Sequence, residues 1–260
     1  MAYTIDERNE ERQRLLAACL DPLTLPALER IPKQGIRRIL DIGSGQGNTT
    51  RMLASCFPEA EVVGLEYDVN LVAYASLHKD NRAGIQFVQG DAMNMSFPDA
   101  SFDLVFTRYV LVHMPDPLQV LKQFPRLLRP GGYAFSFEPD CCIQFAYPHD
   151  PSFDAVSKLF CALFPQPDIG RRLLPLYREA GLMPEQAKAL IGMDDNSGLY
   201  ARIYRLTVDA MAAPAVSQGI FAAEEYAALQ QRVATMESEE RVIFKLPDMW
   251  VIARAPGGVS

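Results

Sequence analysis

Several things are missing from this 260-residue chain. Its five cysteines, Cys19, Cys56, Cys141, Cys142 and Cys161, are odd in number, and no two stand in C-x-x-C spacing. That pattern argues against a disulfide framework and a structural zinc site. No apolar run approaches the roughly 18 to 20 residues a membrane-spanning helix needs. The opening MAYTIDERNEERQRLL is crowded with charge where a secretory signal would be apolar. Basic clusters are absent too: 25 Lys and Arg stand against 32 Asp and Glu, a net charge of −7, and Arg37-Arg38 and Arg171-Arg172 are isolated pairs. Such a chain is a poor neutraliser of nucleic-acid phosphates. A cytoplasmic protein that binds neither nucleic acid nor membrane is expected.

What is present is an ordinary globular composition, 49% hydrophobic and 22% charged, enough for a sizeable core. Residues 6–20 set Leu15, Leu16 and Leu20 among charges at near-helical spacing, which predicts an amphipathic helix. Pro22 and Pro26 should interrupt it, with a short helix over 27–30 beyond. Short apolar runs then alternate with helical segments. Strands are predicted over 38–42, 61–66, 85–88, 102–107 and 133–138. Helices are predicted from 48, over 70–78 and over 117–128 despite Pro125, with a turn at Pro130-Gly131-Gly132. This rhythm implies a doubly wound, mostly parallel sheet covered on both faces. After residue 140 it gives way to an irregular, Phe-, Pro- and Cys-rich insert. A helix over 171–180, a strand over 185–191, a helical stretch over 198–239 and a closing strand or pair over 242–253 follow. One domain is expected: a helical cap (1–35), a ligand-binding core (36–140) and a region of additions (141–260).

The chemistry concentrates at the ends of the first three strands. After the first comes Asp41-x-Gly43-x-Gly45-x-Gly47, a turn whose missing Cβ atoms let a ligand approach the backbone, next to the free N–H groups of a helix start. Asn48 stands where the dinucleotide fingerprint G-x-G-x-x-G has its third glycine. Glu66 ends the second strand, 19 residues after Gly47, where a carboxylate can accept from both hydroxyls of a ribose. Asp91, just beyond the third strand, can accept from an exocyclic amine or cap the next helix. All three converge on the carboxyl edge of the sheet, where open α/β sheets bind ligands. A nucleoside-containing ligand is expected.

The segments ILDIGSGQGNTT, VVGLEYD, FVQGDAMNMSF, SFDLVFTRYVLVHMPDP and LLRPGGYAFSFEPD resemble the class I S-adenosylmethionine-dependent methyltransferases, in that family's order and spacing over residues 38–140. The fold this implies is a Rossmann-like seven-stranded sheet. Among the members, the chain looks most like small-molecule enzymes of quinone and natural-product biosynthesis, and IGRRLLPLYREAGL is similar to a segment in some of them. Carried over, the resemblance has Gly43, Gly45 and Gly47 line the methionyl part of S-adenosylmethionine, with Asp41 near its amino group. It has Glu66 hold the ribose and Tyr67 pack beside the adenine. Asp91 and the Ala92 backbone would meet the adenine edge, and Arg108 the methionine end through its backbone. S-Adenosylhomocysteine would be the product.

Methyl transfer from a sulfonium asks mainly for alignment and exclusion of water. A general base is needed only where the acceptor must lose a proton. His113, five residues past Arg108, is the candidate base; the alternative is that it packs against Pro115. Glu138 and Asp140 end the fifth strand and either face the crevice and orient an acceptor, with Glu138 a second catalytic candidate, or cap the next turn. His149 lies in the insert, and His78 reads as a surface helix residue. Phe145, Tyr147, Phe153, Phe160 and Phe164 either shape a pocket for a hydrophobic or aromatic acceptor or belong to the core. The N-terminal helix, with Tyr3, is either a lid or a solvated cap. The additions after 140 suit a homodimer interface as well as a pocket. Other readings are a non-catalytic cofactor-binding partner protein and an NAD-dependent oxidoreductase, which the G-x-G-x-G spacing disfavours. A protein or nucleic-acid methyltransferase lacks the expected basic surface and any Asn-Pro-Pro-Tyr-like stretch.

Overall fold

The structure, a computed structural model, describes residues 7–79, 84–195, 198–239, 242–244 and 247–257. Strand β1 (Arg38–Ile42) runs through the middle of the main sheet because both its faces are apolar. Ile39 faces one core, Leu40 and Ile42 the other, and none of the three has any exposure. Two-sided burial is what a parallel strand beneath helices requires. β2 (Glu61–Glu66) and β4 (Phe102–Arg108) flank β1 in parallel, with β3 (Ile85–Gln89) outside β2 and β5 (Leu128–Pro139) outside β4. β10 (Asp248–Arg254) inserts antiparallel between β5 and β7 (Met183–Leu190). The order is β3-β2-β1-β4-β5-β10-β7, the seven-stranded, mostly parallel sheet that the alternation predicts. The chain steps outward from β1 to β3 and then returns to β4, which opens a crevice at the carboxyl ends of β1 and β4.

Four local expectations are corrected. Helix α1 (Glu7–Leu28) passes through Pro22 and Pro26 without interruption. Each proline costs about 3 kcal/mol inside a helix. Burial of Leu20, Ala27 and Leu28 against the sheet offsets this, at about 1.5–3 kcal/mol for each leucine. The helix expected over 117–128 is instead two, α4 (Pro117–Leu121) and α5 (Phe124–Leu127). Pro125 clashes with the carbonyl of Leu121, four residues back, and α4 ends there. The Pro-Gly-Gly turn lies within β5: Leu128 pairs with Phe102 but Tyr133 with Leu104, so a bulge absorbs residues 129–132. Finally, β6 (Phe145–Tyr147), β8 (Met193–Asp195) and β9 (Val242–Phe244) form a separate three-stranded antiparallel sheet.

Helices α2 (Asn48–Cys56), α3 (Val69–Leu77), α6 (Ser152–Leu163) and α7 (Ile169–Glu179) pack with the sheets, followed by α8 (Leu199–Ala210), α9 (Ala212–Ser217) and α10 (Ala223–Thr235). Ion pairs tie the N-terminal helix down. Arg202 of α8 holds both carboxylate oxygens of Glu11 at 2.9 and 3.0 Å, and Arg108 of β4 reaches Asp21 at 2.6 Å.

Candidate functional site

The turn after β1 is pinned before any ligand enters. The N–H groups of Gly43 and Ser44 both donate to the Leu65 carbonyl of β2, at 2.8 and 3.1 Å. A side chain at Gly43 would place its Cβ 2.5 Å from Val110, so the β1 and β4 turns meet as closely as backbone allows. The Glu66 carboxylate closes the arrangement, accepting from the Gly45 N–H at 2.9 Å and from the Tyr67 and Asp68 N–H groups at 2.8 and 3.0 Å. Asp91 accepts from the Met93 N–H at 2.8 Å, and the Ala92 carbonyl accepts from Gln123 at 2.9 Å.

These groups border a cavity of about 600 Å³. Of the residues singled out in the sequence, Gly43, Gly45, Glu66, Tyr67, Asp91, Ala92, Arg108 and His113 line it. Asp41 and Gly47 do not. Gly47 starts α2 with φ 86°, and a Cβ there would meet Phe87 at 2.6 Å, so its glycine serves packing beneath the turn. Asp41 also lies beneath, accepting from Thr49 and Thr50 at 2.7 and 2.6 Å, with its other oxygen buried and unpartnered. Burial raises its pKa to about 6 against the opposing pull of the two threonines and then Arg108.

Glu138 and Asp140 do not face the cavity. Glu138 has no exposure, and its carboxylate accepts from the Val110 and Leu111 N–H groups at 3.0 Å and Val112 at 3.2 Å. Burial raises its pKa to about 7, although the three N–H groups hold it down. It thus caps the turn at Leu111–His113 and holds the wall that carries His113; this is a positioning role. Asp140 is held by two of the Arg171 guanidinium nitrogens, Nε and, at 2.9 Å, Nη2, and accepts from the Cys142 N–H at 3.1 Å.

His113 is half-buried, edge-on to Phe164 with ring centres 5.2 Å apart. Burial lowers its pKa to about 4, with Arg12 acting in the same direction, so it is neutral at physiological pH. His149 is exposed and 3.8 Å from Asp154, and His78 stacks on Tyr74 at the surface. Of the insert aromatics, Phe160 and Phe164 line the cavity, Phe153 is core and Tyr147 is 73% exposed. Tyr3 and the side chain of Phe145 lie outside the described residues.

Other lining residues went unread in the sequence. Arg8, Arg12 and Leu16 of α1 cover the cavity, so this helix is a wall of the site. Tyr200, Ile203, Tyr204 and Thr207 of α8 form another wall, and Cys141 a third. Their helical spacing in α8 carries no signal that separates a pocket from a core. Tyr109 does carry one in the structure: φ is 57°, unusual for a bulky residue, and its hydroxyl donates to buried Asp248 at 2.5 Å. Among the described residues no group of three or more His, Cys, Asp or Glu is arranged to hold a metal, and no helix is long and apolar enough to cross a membrane.

Residues 40–136 match the family described as "Methyltransferase domain". The chain is 35% identical over 125 residues to an uncharacterized methyltransferase, C1B3.06c, of Schizosaccharomyces pombe, covering 45% of each chain. It is 29% identical over 162 residues to a demethylmenaquinone methyltransferase of Bacillus licheniformis, covering 62% of this chain and 67% of that one. The chain thus spans between about half and two thirds of the length of these relatives. Among solved structures, the [4+2]-cyclase SpnF shares the fold at a TM-score of 0.59 and 20% identity, over 92% of this chain and 81% of that one.

Proposed function

Because the chain belongs to the class I S-adenosylmethionine-dependent methyltransferases, we propose that it transfers the methyl group of S-adenosylmethionine to a small, largely apolar, ring-bearing acceptor. The observation that carries this reading is a single cavity with two unlike ends. At the glycine turn it is polar: Ser44 Oγ and Gln46 Nε2 line it, buried without partners, and the unpartnered Asp41 oxygen lies just beneath. Toward α6 and α8 its lining is dominated by Phe160, Phe164, Tyr200, Ile203 and Met211, with Thr207 and Asp209 among them. The polar end fits the cofactor, since orphaned buried groups are rare unless something completes them. The apolar end fits a hydrophobic acceptor. The similarity to an enzyme named for demethylmenaquinone points to the same acceptor class.

When bound, S-adenosylmethionine supplies a methyl group already activated on a sulfonium. The chain's own residues hold and orient. Gly43 and Gly45 admit the ligand to the backbone, Glu66 offers its carboxylate to the ribose, Tyr67 covers the adenine, and Asp91 and Ala92 meet the adenine edge. The backbone at Arg108 borders the methionine end, and α1 excludes water. Asp41 and Gly47 support the turn from below. His113, neutral at pH 7, is the side chain available to take a proton where the acceptor loses one, but its low pKa makes it a weak base. Alignment therefore supplies most of the rate.

A fold shared with a cyclase does not fix the reaction, so transfer must be measured directly. Incubation with methyl-labelled S-adenosylmethionine and a panel of quinols, phenols and naphthols should yield S-adenosylhomocysteine together with a labelled product. Cofactor binding without turnover on any of them would favour a non-catalytic binding protein instead.

A further inference from the structure

Tyr204 stands at the apolar end of the cavity with a buried hydroxyl that no described residue hydrogen-bonds. It projects from α8, is only 6% exposed, and packs edge-on against Phe153 at 5.4 Å. Its charge-bearing neighbours are Cys141, Tyr200 and Asp248. None takes its proton in a hydrogen bond, and Asp248 already accepts from Tyr109. More than nine in ten buried polar groups in folded proteins have a partner, and an exception asks for a reason. Here the other orphaned atoms of the cavity that could receive a ligand, on Ser44 and Gln46, sit at the cofactor end. Tyr204 is their counterpart at the far end.

Resting on the methyl-transfer reading above, we infer that the Tyr204 hydroxyl donates a hydrogen bond to a carbonyl or hydroxyl oxygen of the acceptor. Burial pushes its pKa above the usual phenol range, so it stays a donor throughout the working pH. Beside it, Phe160, Tyr200 and Ile203 offer the rest of the acceptor apolar and ring contacts. The site thereby selects oxygen-bearing ring compounds over the matching hydrocarbons.

The test uses the full chain saturated with S-adenosylhomocysteine and titrated with 1-tetralone and with tetralin, which lacks the carbonyl. The wild type should bind tetralone more tightly by about tenfold, the size of one well-made buried hydrogen bond. Tyr204→Phe should erase that preference while leaving tetralin and S-adenosylhomocysteine affinities unchanged. It should also melt no lower than wild type, because it removes an unsatisfied buried group. Equal binding of the two probes by the wild type, binding of neither, or a preference that survives Tyr204→Phe would overturn the inference. Failure of S-adenosylhomocysteine to bind at all would overturn the methyltransferase reading, and this inference with it.

Discussion

Arg108 at the end of β4 donates to Asp21 of α1 across 2.6 Å, with the guanidinium side chain only 5% exposed and the carboxylate one third exposed. The same residue that lines the cavity therefore clamps the helix that covers it. Asp21→Asn should lower stability by about 2 kcal/mol, because it leaves a buried cation without its counter-charge. It should also weaken S-adenosylhomocysteine binding severalfold by loosening α1. Denaturant titration and calorimetry read the two effects, and an unchanged affinity would mean that α1 does not close the site.

Glu66 joins the turns after β1 and β2 by accepting from Gly45, Tyr67 and Asp68. Glu66→Gln keeps an acceptor oxygen but loses the charge. It should reduce S-adenosylhomocysteine affinity by about ten- to hundredfold, the range for hydrogen bonds to a charged group, while changing stability by about 1 kcal/mol or less. A large loss of stability with intact affinity would reverse its assigned role.

Glu138 has its pKa raised from 4.5 to about 7 in the folded protein. The fold thus favours the protonated form, and this residue's contribution falls as pH rises from 4.5 through 7, by up to about 3 kcal/mol. Glu138→Gln has no such dependence. Its stability relative to wild type should therefore improve between pH 5 and pH 8, and denaturant midpoints for the two proteins at both values check this.

His113 acts in the opposite sense. Its pKa is lowered from 6.5 to about 4, so the unfolded chain binds the proton more readily and stability is lost as pH falls from 6.5 toward 4, again by up to about 3 kcal/mol. His113→Gln should flatten that acid-side loss. With a base this weak, the methyl-transfer rate should show no inflection near pH 6.5. An inflection there that vanishes in the variant would restore His113 as a strong general base.

The strands β1 to β5, and the features at their ends, were legible because buried parallel strands are written as short apolar runs. Gly43, Glu66 and Asp91 could be placed from the strand ends alone. Proline misled in both directions: Pro22 and Pro26 are tolerated because tertiary burial outweighs their local cost, whereas Pro125 breaks a helix that its flanking sequence supports. The small sheet was invisible, since its three-residue strands come from three distant segments. Glu138 and Asp140 could be assigned to a strand end, but not to the N–H groups and the Arg171 guanidinium that occupy them. Tyr204 carries no mark in the sequence, since periodicity cannot show whether a hydroxyl has a partner.

The central claim is that the polar end of this cavity is built for an adenosyl-sulfur ligand. Its most direct test is calorimetric titration of the purified chain, cleared of carried-through ligand, with S-adenosylmethionine, S-adenosylhomocysteine and NAD in parallel. The account predicts micromolar binding of the two adenosyl compounds, one per chain, and none of NAD. Binding of NAD alone would contradict it.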